Sequence, residues 1–230
     1  MQKLVLFGAG KIGRSFIAQL FSKAGYETLF IDIDMQLIER INQRNKYNVV
    51  IKDKEEEVIQ VENVRALHFS EKEKITEEIA SASILVTSVG QKGLSSLFPL
   101  LAEGLNLRFQ KTKQPLDIII AENIRNADQL FEQELKKHLF DDYPFEELVG
   151  LVESSIGKMV PIMTSKDLEE DPLQIFAEAY NTIPVDAKAF KNPVPLVPGL
   201  APKQNMKAWV ERKSFLHNLG HAAAAYFGFQ

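Results

Sequence analysis

Three polar side chains, Lys213, Asn218 and His221, interrupt an otherwise apolar stretch of the sequence. At about 100° per residue on an α-helix, Asn218 lies roughly 140° and His221 roughly 80° from Lys213, so the three can share one face. A lysine amine with a lowered pKa can accept a hydroxyl proton, while amide and imidazole groups can hold the reacting oxygen. By spacing alone, the stretch is either a proton-transfer site in a cleft or a stripe of solvated polar residues.

A glycine-rich turn near the N-terminus indicates a second kind of chemistry. Gly8, Gly10 and Gly13 have the G-x-G-x-x-G spacing, directly after a predicted strand and at the start of a predicted helix. The first glycine permits the turn, the second lets a pyrophosphate approach the backbone, and the third allows close packing of helix on strand. The unpaired N–H groups of the helix N-terminus then face the phosphates. The pattern predicts a dinucleotide site.

Asp32 indicates which dinucleotide is bound. It lies 19 residues after Gly13, at the end of the second predicted strand. A carboxylate there accepts hydrogen bonds from the adenosine ribose and repels a 2′-phosphate, which favours NAD over NADP. The alternative, that Asp32 caps a helix, is weaker because Asp34 fits the cap better. We predict four further cofactor contacts, made by Lys11, Ile12, Ser88 and Gly90.

The first half of the chain alternates between apolar runs and segments with helical spacing, which predicts a parallel sheet covered by helices. The predicted strands are 3–7, 27–32, 82–90, 115–123 and 147–155, with a polar hairpin around 47–64. We therefore expect an α/β, Rossmann-type, doubly wound and mostly parallel sheet over residues 1–190. Residues 191–202 are proline-rich and predict a connector. Residues 203–230 are predicted to form one helix that carries Lys213.

Composition excludes several other classes. The 230 residues carry a formal net charge of −4 with dispersed basic residues, so we expect no nucleic-acid partner. There is no cysteine, which excludes disulfides and thiolate chemistry, and no metal site is predicted. No apolar run has the roughly 20 residues of a membrane span, and no signal peptide is recognisable. The expectation is a cytoplasmic protein without membrane contact.

The motifs together resemble one family. The stretches "FGAGKIGRSF", "AENIRNADQL" and "VERKSFLHNLGHAAAAYFG", with their K-x4-N-x2-H pattern, are similar to the polyol-specific long-chain dehydrogenases, and the resemblance covers essentially the whole chain. It implies that Lys213 is the general acid/base and that Asn218 and His221 bind the reacting oxygen. Asn123, at the end of a predicted strand, matches an asparagine that the family adds to this group.

The resemblance implies NAD-dependent hydride transfer between mannitol 1-phosphate and fructose 6-phosphate. A mannitol 2-dehydrogenase or a hexuronate reductase would share the same residues. An alternative of another class is a catalytically silent dinucleotide-binding module. A small sugar alcohol or sugar phosphate is the expected partner in the enzymatic readings.

The chain departs from the family pattern at three places. Gly90 is followed by Gln91 where the family usually has Gly-Pro, and Gly157 and Lys158 replace an Asp-Arg pair. His217 stands where the family has an apolar residue, and we interpret it as a packing or supporting residue. Family members also carry a helical domain after the catalytic helix. We therefore expect this chain to bind NAD but to turn over slowly, and to cover its apolar last helix by self-association or by folding it back onto the sheet.

Overall fold

Six parallel strands form the central sheet of the protein. The structure is a computed structural model that describes residues 1–229. The strands are β1 (Lys3–Phe7), β2 (Glu27–Asp32), β5 (Val64–His68), β6 (Ile84–Thr87), β7 (Leu116–Ile120) and β8 (Val149–Glu153). They lie side by side in the order β5-β2-β1-β6-β7-β8. The strand order reverses between β1 and β6, because the chain builds one side outward from β1 and then crosses over to build the other.

Two smaller sheets accompany the central one. An antiparallel hairpin of β3 (Lys46–Ile51) and β4 (Glu57–Glu62) takes β9 (Ile175–Ala177) as a third strand. The predicted hairpin is thus present, and the charged residues between its strands form the turn. Strands β10 (Ile183–Asp186) and β11 (Leu200–Lys203) pair in parallel.

Helices cover both faces of the sheet, as a doubly wound fold requires. Those of the sheet region are α1 (Gln19–Lys23), α2 (Met35–Arg44), α3 (Lys72–Ala80), α4 (Gln91–Lys111), α5 (Ala127–Lys136), α6 (Phe145–Leu148) and α7 (Ser165–Glu170). The final helical stretch comprises α8 (Met206–Arg212), a π-helical segment (Lys213–His217) and α9 (Asn218–Gly228). A second π-helical segment, Gly13–Ala18, precedes α1. No helix among residues 1–229 combines the length and apolarity of a membrane span.

The core consists of one apolar cluster on each face of the sheet. On one face, Phe16 from the π-helical segment Gly13–Ala18 and Phe21 from α1 pack over alternate residues of β1 and β2. On the other, Phe98 and Phe131 meet edge to face, with ring centroids 5.0 Å apart. All four rings are buried. Because the sheet is covered on both sides, its central strands are almost entirely apolar, which is why they were recognisable in the sequence.

The predicted Rossmann-type parallel sheet is confirmed, but two segments differ from expectation. Residues 64–68 had no predicted strand of their own, yet β5 pairs along β2 at the sheet edge. The proline-rich segment predicted as a connector is held by hydrogen bonds: the backbone N–H groups of Lys191 and Asn192 donate to the Asp117 carboxylate at 2.7 and 3.1 Å. The segment also contains most of β11, so the helix begins at Met206 rather than at 203. The division into domains at 190 and 202 stays a prediction.

Candidate functional site

The glycine-rich turn leaves β1 at the point where the strand order reverses. Gly8 has a φ of +96°, and a Cβ there would lie 2.4 Å from the Ser88 carbonyl oxygen. A Cβ on Gly13 would lie 2.0 Å from the Gly8 carbonyl oxygen. A Cβ on Gly10 would meet no atom within 4 Å. Two of the glycines are therefore required by packing, and the third leaves the backbone open to a ligand.

The Asp32 carboxylate is fixed at the end of the neighbouring strand. One oxygen accepts from the Ala9 backbone N–H at 2.6 Å, and the other accepts from the backbone N–H groups of Ile33 and Asp34 at 2.7 and 3.0 Å. Asp34 itself caps α2 by accepting from Leu37. The assignment of the cap to Asp34 agrees with expectation, and Asp32 is held against the glycine turn.

A cleft of about 270 Å³ lies between these strand ends. Its lining includes Gly8, Gly10, Asp32 and Ser88, which were predicted as cofactor contacts. This cleft fits the adenosine half of a dinucleotide because it joins an open glycine backbone to a fixed carboxylate at a strand-order reversal. Of the other predicted contacts, Lys11 is exposed in the helical turn that begins after Gly10, and Ile12 packs partly against the core.

Gly90, the last predicted cofactor contact, does not line the cleft itself; it follows Val89, which does, in the loop after β6 that Glu122 holds. The Glu122 carboxylate accepts from the backbone N–H groups of Val89 and Gly90 at 2.8 and 2.9 Å. Burial raises the pKa of Glu122. Gly90 has a φ of +74°, which favours glycine there. Glu122 was missed in the sequence, although its position after an apolar strand and beside Asn123 was a usable signal.

Lys213 and Asn123 meet at the carboxyl end of the sheet. The Lys213 Nζ donates to Asn123 Oδ1 at 3.1 Å, across 90 residues of sequence. Asn123 follows β7, and Lys213 follows α8 in the final helical stretch. Burial lowers the pKa of Lys213, with no carboxylate contributing to the shift. The neutral amine that a general base requires is therefore favoured relative to an exposed lysine.

The π-helical segment explains how Asn218 joins this pair. The Asn218 backbone N–H donates to the carbonyl of Lys213, five residues earlier. In an i→i+5 turn, residues five apart lie above one another, whereas α-helical geometry would separate them by roughly 140°. Asn218, Lys213 and Asn123 accordingly line one cavity of about 280 Å³. Single π-turns of this kind are frequent at functional sites.

His221 lies apart from the lysine pair and contacts His217. The two Nε2 atoms are 3.1 Å apart, and the ring planes meet at 77°. Both side chains are exposed. His217, interpreted as a packing or supporting residue, is exposed, contacts His221 and also lines a cavity beside Lys213. The role predicted for His221 stays a prediction.

A larger cavity of about 470 Å³ lies on the other side of Lys213. Arg212, Trp209 and Tyr180 line it together with Lys213. The Arg212 guanidinium carbon is 5.2 Å from the centroid of the Trp209 ring. No carboxylate among residues 1–229 forms an ion pair with Arg212, so this guanidinium can meet an anion. Arg212 was missed in the sequence, although it directly precedes the predicted general base.

Lys158, one of the departures from the family pattern, is buried beneath this cavity. Its Nζ donates to the Tyr180 carbonyl at 2.9 Å and to Asn181 Oδ1 at 2.6 Å, and lies 4.9 Å from the Phe16 ring centroid. Burial lowers its pKa to about 8. Lys158 therefore braces the cavity floor, while Gly157 lines the cavity itself.

The comparisons with known proteins agree on one family. Residues 2–199 match the mannitol dehydrogenase Rossmann domain. The mannitol-1-phosphate 5-dehydrogenase of Geobacillus stearothermophilus is 33% identical over 232 residues, covering 98% of this chain and 59% of the relative. The mannitol-1-phosphate 5-dehydrogenase of Caldanaerobacter subterraneus subsp. tengcongensis is 34% identical, and the match covers 100% of this chain and 59% of the relative. The chain thus spans about 59% of the length of these curated relatives.

Solved structures show the same fold. Pseudomonas fluorescens mannitol 2-dehydrogenase, in a ternary complex with NAD and D-mannitol, superposes with a TM-score of 0.80 over 99% of this chain and 58% of that chain, at 13% identity. An octopine dehydrogenase in complex with NADH and agmatine superposes with a TM-score of 0.57 over 81% of this chain and 42% of that chain, at 12% identity. At these identities the likeness concerns the fold.

Proposed function

The chain belongs to the mannitol dehydrogenase family, and we propose from this premise that it is an NAD-dependent oxidoreductase of a sugar-alcohol phosphate. The reaction interconverts mannitol 1-phosphate and fructose 6-phosphate. Two relatives that cover almost the whole chain carry the name mannitol-1-phosphate 5-dehydrogenase. The cleft beside Asp32 supports NAD as the cofactor, since a fixed carboxylate binds ribose hydroxyls and repels a 2′-phosphate.

The observation that carries the proposal is the contact of Lys213 with Asn123 at the sheet edge. Ligands of open α/β sheets bind at this edge, so a substrate bound beside the cofactor meets the Lys213 amine. Burial lowers the pKa of Lys213, which raises the share of neutral amine that can take a proton. Asn123 accepts from the amine and so holds it in a fixed direction.

The side chains of the chain itself carry out the proton transfer. In the oxidation direction, the amine of Lys213 accepts the hydroxyl proton while the carbon-bound hydrogen leaves as hydride. The bound dinucleotide supplies the hydride acceptor in oxidation and the donor in reduction. In the reduction direction, the Lys213 ammonium returns the proton to the carbonyl oxygen. The Asn218 amide, in the same cavity, stabilises the charge that develops on that oxygen.

Arg212 supports a phosphorylated substrate. It lines the 470 Å³ cavity next to Lys213 and forms no ion pair among residues 1–229; the Glu178 carboxylate in the same cavity accepts instead from the Met159 backbone N–H. Guanidinium groups bind phosphate in a bidentate, charge-assisted manner. Lys158, the other cation nearby, is occupied by a carbonyl and an amide oxygen. We assign the substrate phosphate to Arg212, and this assignment favours the phosphate enzyme over mannitol 2-dehydrogenase and hexuronate reductase.

A substrate panel tests the proposal. NADH and NADPH are titrated first, and turnover is then measured with fructose 6-phosphate, fructose and hexuronates. We expect NADH and fructose 6-phosphate to be preferred. Arg212→Gln should weaken the use of fructose 6-phosphate by roughly 10- to 100-fold and leave fructose unaffected, because a charge-assisted hydrogen bond contributes about 1.5–3 kcal/mol. NADH binding without turnover of any substrate would support the catalytically silent alternative.

The final helix supports self-association as a further part of the proposal. Leu219, Tyr226 and Phe227 are 61%, 81% and 76% exposed, so the expectation that this helix folds back onto the sheet is wrong. Apolar surface of this size is costly in water. We propose that a second copy covers it in the 230-residue chain. Sedimentation should show a dimer, and Leu219→Ser with Phe227→Ser should give a monomer. The cytoplasmic location stays a prediction.

A further inference from the structure

His217 and His221 form a pair of imidazoles on the final helix. They are four residues apart, which is one α-helical turn, so both rings lie on the same face. Their Nε2 atoms are 3.1 Å apart and their ring centroids 4.6 Å apart. The two other histidines of the sequence, His68 and His138, have no such arrangement: His68 Nδ1 is 2.7 Å from Ser70 Oγ.

The separation of the two nitrogen atoms matches that of two ligands of one metal ion. Nitrogen ligands of zinc lie about 2.0–2.1 Å from the metal. Two such atoms that are 3.1 Å apart subtend an angle of about 98° at the ion. This angle lies between the octahedral and tetrahedral values. The pair can therefore chelate an ion with little movement of either ring.

The imidazole ligands determine which metal ions the site can bind, and the small number of protein ligands limits its affinity. Imidazole suits zinc, copper and nickel, whereas magnesium and calcium prefer oxygen ligands. No group of three or more His, Cys, Asp or Glu side chains able to hold a metal occurs in the described part of the chain. Two protein ligands leave the other coordination positions to water. Both rings are exposed, so an ion can enter and leave freely.

We propose that His217 and His221 form a bidentate, exchangeable site for a divalent transition-metal ion, and that a bound ion inhibits the enzyme. Coordination occupies the Nε2 lone pair of His221, the residue that the family resemblance predicts to bind the reacting oxygen. The bound charge also lies one helical turn from Lys213. Metal binding follows from the geometry alone, whereas inhibition rests on the proposed function.

The test is a calorimetric titration of the tag-free 230-residue chain with nickel chloride, reversed with a chelator. The variants are His217→Leu, which replaces the imidazole at position 217 with an apolar side chain, and His221→Ala. His68→Ala is the matched control, because it removes a histidine that has no imidazole partner. Far-ultraviolet circular dichroism and NADH titration establish that each variant is folded. Each pair variant should bind nickel about 100-fold more weakly, since two linked ligands gain about that factor over one.

The outcomes separate the two parts of the proposal. One nickel ion per chain, lost in both pair variants and retained in His68→Ala, supports the site. No saturable binding to the parent chain, or unchanged binding in either pair variant, overturns it. If nickel binds as expected but fructose 6-phosphate reduction continues undiminished at saturation, the site stands and the proposed role of His221 is wrong.

Discussion

The dinucleotide cleft and the final helix differ in how firmly their neighbours position them. In the cleft, Gly8 and Gly13 lie so close to backbone oxygens that no side chain fits, and Asp32 is held by three N–H groups. In the final helix, most side chains after residue 210 are exposed. Its polar contact with the sheet is the hydrogen bond from Lys213 to Asn123.

The difference shows which kind of site a sequence reveals. The cleft is built from local backbone constraints, so the spacing of its glycines encodes its geometry. The chemistry of the final helix depends on a distant strand end and on a π-turn, neither of which spacing alone encodes. Substitutions in the two regions should therefore act differently: those in the cleft on stability and cofactor binding, those in the helix on turnover.

The largest stability effect is expected from Gly13→Ala. The new methyl group would meet the Gly8 carbonyl oxygen at 2.0 Å, which is too close for relaxation of side chains alone. We expect a loss of about 3 kcal/mol in the free energy of unfolding, measured by denaturant titration, together with loss of NADH binding.

Gly10→Ala is the matched control for this clash. A methyl group there meets no atom within 4 Å, so stability should change little while NADH affinity falls. Equal stability of the two variants would mean that the turn is not fixed by the packing described for it.

A second, pH-dependent effect is expected at Lys158, which lies at the border between the two regions. Its folded-state pKa of about 8 is below the unfolded value, so the folded protein releases the proton first as the pH rises. Between pH 7 and 9.5 the parent chain should therefore gain roughly 2 kcal/mol in stability relative to Lys158→Met. Denaturant titrations of both proteins across this range measure the difference. Parallel stability curves would show that the amine is not desolvated.

A smaller effect is expected in cofactor choice. Asp32→Asn keeps an oxygen acceptor but removes the negative charge that faces a 2′-phosphate. The ratio of NADH to NADPH affinity should fall about tenfold, as measured by fluorescence titration, because one charge-assisted contact is lost and one repulsion is relieved. Tighter binding of NADPH than of NADH by the parent chain would refute the assignment of Asp32.

Much of the fold was predictable because its determinants are local. The apolar strands of a sheet covered on both faces, the Asp34 cap and the glycine turn are each recognisable within a few residues. Strand β5 was not recognisable in this way, because residues 64–68 form a short segment that contains the charged or polar residues Arg65 and His68. They become a strand by pairing with β2. The proline-rich segment suggested a connector, but hydrogen bonds to Asp117, far away in sequence, hold it in place.

The candidate site was predictable in its residues but not in its arrangement. Lys213 and Asn123 were both selected from motifs, and the structure brings them together. The 100° spacing already allowed Asn218 and Lys213 to share one face, but the π-turn that brings them closer together is not encoded in that spacing. The pairing of His217 with His221 is encoded in their four-residue spacing, which places both on one helix face, whereas the family pattern includes only His221.

The most direct test of the central claim compares the parent chain with Lys213→Met in fructose 6-phosphate-dependent oxidation of NADH, with NADH affinity measured in parallel. Methionine keeps most of the side-chain volume and removes the amine. We predict that the turnover rate falls by about 10² to 10⁴, the usual contribution of a positioned acid/base, while NADH affinity changes by less than about twofold. Turnover by Lys213→Met equal to that of the parent chain, or no turnover by a parent chain that binds NADH, would contradict the claim.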